Sequence, residues 1–441
     1  VKRKMKEKKV HFISGKFDQL QQAAPLFAIN TALNEYTNNI IQQGPQTTLE
    51  TKKAIIDAIN GDIGVLTEIF PCLCKIIGNP TIPPIKVDSI AAQNRFKFIF
   101  QIFVRAIGTS SRPIILFLDD LQWVDELSLQ LISALIADTE NNNFLFIGSY
   151  RDNEINNTHL LTEYLKELRR EKITISAINV GCISKEDVNI LISDTISIPQ
   201  HLTKSFSDIV YKNTGGNALF VTQFLQSLWN EGVLLFSLET NIWTWDASAV
   251  DAKEIIDDVG VLMGKKINQL PIGCKHAIKM LACVGSKCDK SILKLFMSEM
   301  EGMQGSMRRL NHERSDQFLF LDFAVDEGLV KKEGHDYFFA HDEIQNAAYS
   351  LIPEFERGLL HKRIGNLIFD HTPDDRVDDV LFLVADQLNR GSEFIKEEKE
   401  RMELAMLNLR AGEKAMSSAT FLISASYLKA GISMLDEGHR E

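Results

Sequence analysis

"PIILFLDD", residues 113–120, constrains this chain more than any other stretch. An unbroken apolar run bounded by a proline and two acids is the pattern of a strand covered on both faces. "NFLFIGSYRD" (143–152) repeats it as a second buried strand, and "ITISAINVG" (173–181) reads as another. "KVHFISGKF" (9–17) is a shorter strand that turns at Gly15. Helical spacing falls between them, at 24–41, 49–70, 94–108, 126–138 and 159–170. Gly44-Pro45 separates the first two helices, "GNPTIPP" (78–84) is a loop, and Asp125 is placed to cap the helix over 126–138. The apolar positions 96, 99, 100, 103, 104 and 107 form one stripe, which is core. Strands alternating with helices of this length need crossover connections, so the expected fold class is α/β with a parallel sheet.

The pattern changes after residue 182. Helices are expected over 184–231, a hairpin over 233–246 turning at Glu239 to Asn241, and helices over 252–328 with breaks near 264 and 271. "GLVKKEGHDYFFAHD" (328–342) reads as two short strands around Gly334, with helices from 342 onward. Helices, a small hairpin and a further helix suggest a winged helix. Residues 395–437 read as a helical hairpin in which Ala405, Ala411, Ala415, Ala425 and Ala430 alternate with larger apolar residues, as in the stacked pairs of an α-helical, TPR-like solenoid. The expected domains are therefore 1–182, an α/β core; 183–270, a helical lid with a hairpin; 271–370, the winged helix; and 371–441, the start of a helical-repeat region.

At 441 residues the chain is too long for one core, and 45% hydrophobic with 24% charged residues is an ordinary globular composition. A formal net charge of −11 disfavours nucleic acid and anionic membranes as partners. No apolar window is long enough for a membrane-spanning helix, and no signal peptide is seen. Cys72, Cys74, Cys182, Cys274, Cys283 and Cys288 are scattered without a zinc pattern, which suits reduced thiols in the cytoplasm. The opening "VKRKMKEKKV" fits a localisation signal or, better, the solvated end of a helix, so the chain reads as a fragment that starts mid-element.

Ligands of open α/β sheets bind at the carboxyl ends of the strands, where Asp119 and Asp120 stand. One acid there can hold Mg²⁺, usually through water, and a second can polarise a water for attack on a terminal phosphate. Two solvated acids at a strand end, or a phosphoacceptor pair, are the alternatives. Arg151, at the same end of the next strand, can engage a phosphate through its guanidinium fork or pair with Asp152 or Glu154.

"HFISGKFDQLQQAAPLFAI", "ILFLDDLQWVDELSL", "GSYRDNE", "NTGGNALFVTQFLQSLWNEGVL" and "FAHDEIQNAAYSLIP", in that order, resemble the blocks of the origin-recognition-like AAA ATPase modules of large signalling proteins. These modules belong to the STAND class of P-loop nucleotide switches and commonly lie between a serine/threonine-kinase-like domain and histidine-kinase domains. The resemblance implies ATP, ADP and Mg²⁺ as ligands, with Asp119 as the Walker B magnesium acid, Asp120 as the water-polarising acid and Arg151 as the sensor arginine. It places Asn217 and Ala218 near the adenine, although the family usually has proline where Ala218 stands. His341-Asp342 matches the histidine–aspartate of the winged helix. In related switches that histidine reaches a nucleotide phosphate and locks the resting state; a histidine bonded to backbone is the other reading of His341.

The family's Walker A loop, G-x-x-x-x-G-K-[ST], is absent. "SGKF" (14–17) lacks the first glycine and the Ser/Thr, and "GVLMGKK" (260–266) has the wrong spacing. The expectation is that the loop and the first strand lie upstream of Val1, so that the chain alone binds ATP poorly and hydrolyses it negligibly. Three functions follow as expectations. The first is a slow nucleotide-operated switch in intracellular signalling, working on protein partners or attached kinase domains, with oligomerisation left open. The second is a catalytically inactive scaffold for protein–protein interaction. The third, a DNA-bound loader, is disfavoured because "EIQNAAYSLIP" has no Lys or Arg to contact phosphates or bases.

Overall fold

Three parallel strands, β1 (His11–Lys16), β2 (Ile114–Asp119) and β3 (Phe144–Gly148), pair in the order β1-β2-β3. The computed structural model describes residues 10–18, 25–80, 89–251, 259–285, 287–289, 292, 317–334, 336–417 and 420–435. The basic run 1–9 and parts of the loop at 78–84 and of the stretch 252–328 therefore lie outside the described residues. The register sets Lys16 opposite Asp119 and Leu118 opposite Gly148, so the three carboxyl ends form one edge. Helices α1 (Phe27–Gln42), α2 (Pro45–Ile59), α3 (Ile63–Ile69), α4 (Ser89–Ile107), α5 (Glu126–Ile136) and α6 (Leu160–Arg170) accompany the sheet. Ile13, Leu116, Leu118, Phe100, Phe103 and Leu131 lie in one apolar core with them. As expected, Asp125 caps α5 by accepting from the Ser128 N–H at 2.9 Å.

Gly15 fixes how β1 meets α1. A methyl group there would lie 2.0 Å from the main-chain oxygen of Ala28, so only glycine allows this approach. The helix expected over 49–70 is broken at Asn60-Gly61-Asp62, where Asn60 has φ +56°. Two strand expectations need correction. β3 is an edge strand rather than a fully buried one, with Leu145 52% and Ile147 40% exposed. Residues 173–181 form no strand; Ile178 is 86% and Val180 89% exposed. A strand needs a neighbour for its N–H and C=O groups, and among the described residues none pairs with this segment.

Helices α7 (Lys185–Ile196), α8 (Gln200–Thr214) and α9 (Ala218–Asn230), with the hairpin β4 (Leu234–Ser237) and β5 (Ile242–Trp245), share a second core. The hairpin turns where the sequence indicated, and Asn241 has φ +54°. A third core joins α10 (Val259–Gln269), α11 (Ile272–Val284), β6 (Lys287–Asp289), α12 (Gln317–Asp326), β7 (Val330–Glu333), β8 (Asp336–Phe339) and α13 (Asp342–Ser350). β6 corrects the all-helical reading of 252–328: it pairs antiparallel with β8, giving the order β6-β8-β7. The same core continues through α14 (Glu354–Asp370), α15 (Val377–Arg390), α16 (Glu398–Ser417) and α17 (Phe421–Met434).

Candidate functional site

β2 ends at Asp119, and Asp120 follows in the left-handed region at φ +57°, unusual for a residue with a side chain. That turn reverses the chain and keeps Asp120 buried, 7% exposed. The two acids meet different partners. Asp119 accepts from the Ser149 hydroxyl, just past β3. Asp120 accepts from the Gln122 side-chain amide at 2.9 Å and pairs with Lys16 Nζ at 3.0 Å. Gln122 Oε1 accepts in turn from the Arg151 N–H at 3.2 Å, so one buried amide links the tips of β2 and β3.

The N-terminus of α13 completes the cluster from 191 residues further along the chain. Asp342 bonds to Lys16 through one carboxylate oxygen and to Arg151 at 2.9 Å through the other. Glu343 and Glu154 accept from Arg151 at 3.0 and 2.9 Å, and Asp120 lies 3.9 Å from its Nε. Acids in the first turn of α13 are favoured by the helix dipole, so the helix tolerates them before they meet any cation. His341 caps that helix, its Nδ1 accepting from the Glu343 N–H at 3.2 Å.

Burial and charge pull the titrations apart. Burial, reinforced by the neighbouring Asp120, raises the Asp342 carboxyl to about 6. Burial also works against ionising Asp120, but hydrogen bonding to Asp342 and the Lys16 charge bring it below the ordinary carboxylate value. Lys16 and Arg151 are both raised: burial opposes their charge, and the surrounding carboxylates outweigh it. His341 is lowered by burial and then by Arg151, which favours the neutral ring that its capping bond requires.

The structure thus brings Asp119, Asp120, Arg151 and His341 to one edge. It does not join Asn217 and Ala218 to them by any hydrogen bond among the described residues. Asn217 caps α9, accepting from the Phe220 N–H at 3.1 Å, and both residues are exposed. Glu154 is the partner the sequence offered for Arg151, whereas Lys16, Gln122, Ser149 and Glu343 were not singled out as site residues. Lys16 carried a usable signal: it ends a strand of the same sheet, where the reasoning applied to Asp119 holds equally.

Two cations at the tip of a parallel sheet can engage phosphate oxygens, and the carboxylates of α13 now satisfy them in that role. The donor set also suits a magnesium nucleotide. Four carboxylates pair with two cations, yet among the described residues no three His, Cys, Asp or Glu side chains converge on one metal position. Mg²⁺ characteristically takes one or two carboxylates plus phosphate oxygens and water.

Residues 1–147 match the family model described as AAA ATPase domain. A "Hybrid signal transduction histidine kinase G" of Dictyostelium discoideum is 25% identical over 97% of this chain, which spans only 15% of that relative's length. A crystal structure of a STAND protein with a tetratricopeptide repeat sensor from Pyrococcus horikoshii covers the whole chain and 59% of its own, at 12% identity and a TM-score of 0.45. That likeness is too loose to assign a fold.

Proposed function

With residues 1–147 an AAA ATPase domain by family match, we propose that the chain is an ATP/ADP-dependent conformational switch in which the N-terminus of α13 closes the nucleotide edge of the sheet. In this reading the three cores correspond to an ATPase core, a helical lid, and a winged helix carried with the first helices of a repeat array. The domain limits 1–182, 183–270, 271–370 and 371–441 are proposed with it. The observation that carries the reading is Asp342, seated between Lys16 and Arg151.

Asp119 is assigned to Mg²⁺ through water, and Asp120 to polarising the attacking water. Arg151 is assigned to the terminal phosphate, Asn217 and Ala218 to the adenine side, and His341 to a phosphate in the resting state. Mg²⁺ would neutralise charge on the phosphates and supply no other chemistry. A phosphate-binding loop would come from a further parallel strand beside β3, whose open edge has room for one. Phosphate oxygens and the Asp342 carboxylate would then compete for the same two cations, so nucleotide state and closure exclude one another. Signalling proteins or attached kinase domains are the proposed partners, by analogy with the relative's name. The cytoplasm is the proposed location, and the free cysteines fit a reducing compartment.

A non-hydrolysing scaffold is the second reading, favoured by Ala218 standing where the family usually has proline. Nucleotide retention and turnover test both. Asp342→Asn should raise ATP retention several-fold, and Asp120→Asn should abolish turnover while retaining nucleotide. Asp342→Asn behaving like wild type would reduce the cluster to a fixed structural contact, and absence of turnover in every variant, measured with a phosphate-binding loop present, would favour the scaffold.

A further inference from the structure

Lys16 touches both acids that matter for closure, Asp120 of the sheet and Asp342 of α13, and among the described residues it pairs with no other acid. We infer that Lys16 is a shared counter-ion that lets the Asp342 carboxylate of α13 dock beside Asp120. The inference rests on the switch reading and adds to it a residue with a specific duty.

Docking sets the Asp342 carboxylate beside Asp120, which is engaged by Gln122 and 7% exposed with α13 in place. Two carboxylates at close range oppose each other, and more strongly as water is excluded. Arg151 does not resolve this. It lies 3.9 Å from Asp120 and also serves Glu154 and Glu343, so its charge is spread over four acids. Lys16 meets Asp120 Oδ2 at 3.0 Å and bonds to the other carboxylate at Asp342 Oδ1. Its position is rigid: it ends β1, held in register against Asp119, directly after the glycine that lets β1 touch α1.

While Asp342 is docked, one ammonium group bridges the two carboxylates and offsets their repulsion. Lys16 is a positioning residue here, and it is not assigned contact with the reacting atoms.

The test reads the closed-to-open ratio by single-molecule energy transfer between bioorthogonal dyes at Lys166 on α6 and Lys331 on β7, both exposed. Lys16→Met should lower the ratio at least about tenfold, because a buried carboxylate pair loses its cation. Lys16→Arg should stay closed. The decisive variant is the double substitution: Lys16→Met with Asp120→Asn removes the repulsion and should restore most of the closure. A purely packing role for Lys16 would show no such rescue. Lys16→Met staying closed, or opening without rescue by Asp120→Asn, overturns the inference. Asp342→Asn is the control for the lock itself. If it stays closed, the lock reading falls and takes this inference with it. If it opens while Lys16→Met stays closed, this inference alone falls. A retained cooperative melt in each variant shows that folding is intact.

Discussion

Gln122 shows how much one side chain can fix at a strand end. Its amide donates to Asp120 and accepts from the Arg151 N–H, and it is 4% exposed. Gln122→Leu keeps the volume but takes the acceptor from the Arg151 N–H, while Asp120 keeps its Lys16 ion pair. We expect a loss of roughly 1–3 kcal/mol in chemical denaturation, from one backbone donor left unpaired and one hydrogen bond lost to Asp120. Gly15→Ala should also destabilise, by roughly 1–3 kcal/mol, because its methyl meets backbone rather than a movable side chain. A variant as stable as wild type would show that β1 and α1 can separate without cost. The place of Asp119, Asp120 and Arg151 at one sheet edge was legible in the sequence, because two apolar runs end in them and parallel strands bring their carboxyl ends together. Lys16 was legible only as a failed phosphate loop, since its partner Asp342 is 326 residues away and nothing local announces the pair. For His341 the alternative reading, a histidine bonded to backbone, describes the cap it makes on the Glu343 N–H.

At the scale of elements, period and turn chemistry located β1, β2, the β4–β5 hairpin and the helical pair α16–α17. They missed what depends on neighbours. Residues 173–181 have the composition of a strand but no pairing partner, and β3 has the composition of a buried strand but an open side. β6 is three residues long and exists through its pairing with β8. The helical pairs carry an internal pH sensor of stability. Burial raises the Asp386 carboxyl on α15 to about 6, while Tyr427 of α17 donates to it at 2.9 Å and Arg390 opposes the shift. A raised acid contributes stability that is complete below its unfolded value and is lost as pH rises through about 6. Asp386→Asn keeps an acceptor for Tyr427 and removes that loss. It should stabilise by roughly 1–2 kcal/mol at pH 7, with the gain vanishing near pH 4. Parallel denaturation curves at the two pH values check this, and a gain that persists at pH 4 would contradict the titration.

At the scale of the molecule, the third core is the notable feature. It runs from Met263 through Tyr337 and Leu381 to Tyr427, so the β6-β8-β7 sheet and the helical pairs share one apolar interior. A buried polar chain crosses it: Tyr349 and Gln387 engage the two ring nitrogens of His361 at 2.9 and 2.8 Å, and Gln387 donates to the Cys283 carbonyl at 2.9 Å. Displacement of α13 would therefore carry α14–α17 with it, which gives a local exchange of carboxylate for phosphate a long reach. The claim on which all of this depends is that the nucleotide edge and α13 exclude each other. The most direct measurement is the distance between dyes at Lys166 and Lys331 in the protein with Mg-ATP, with ADP, and with neither. The account predicts a short distance without nucleotide and with ADP, and a longer one with Mg-ATP. One short distance under all three conditions, with ATP shown to be bound, would contradict it.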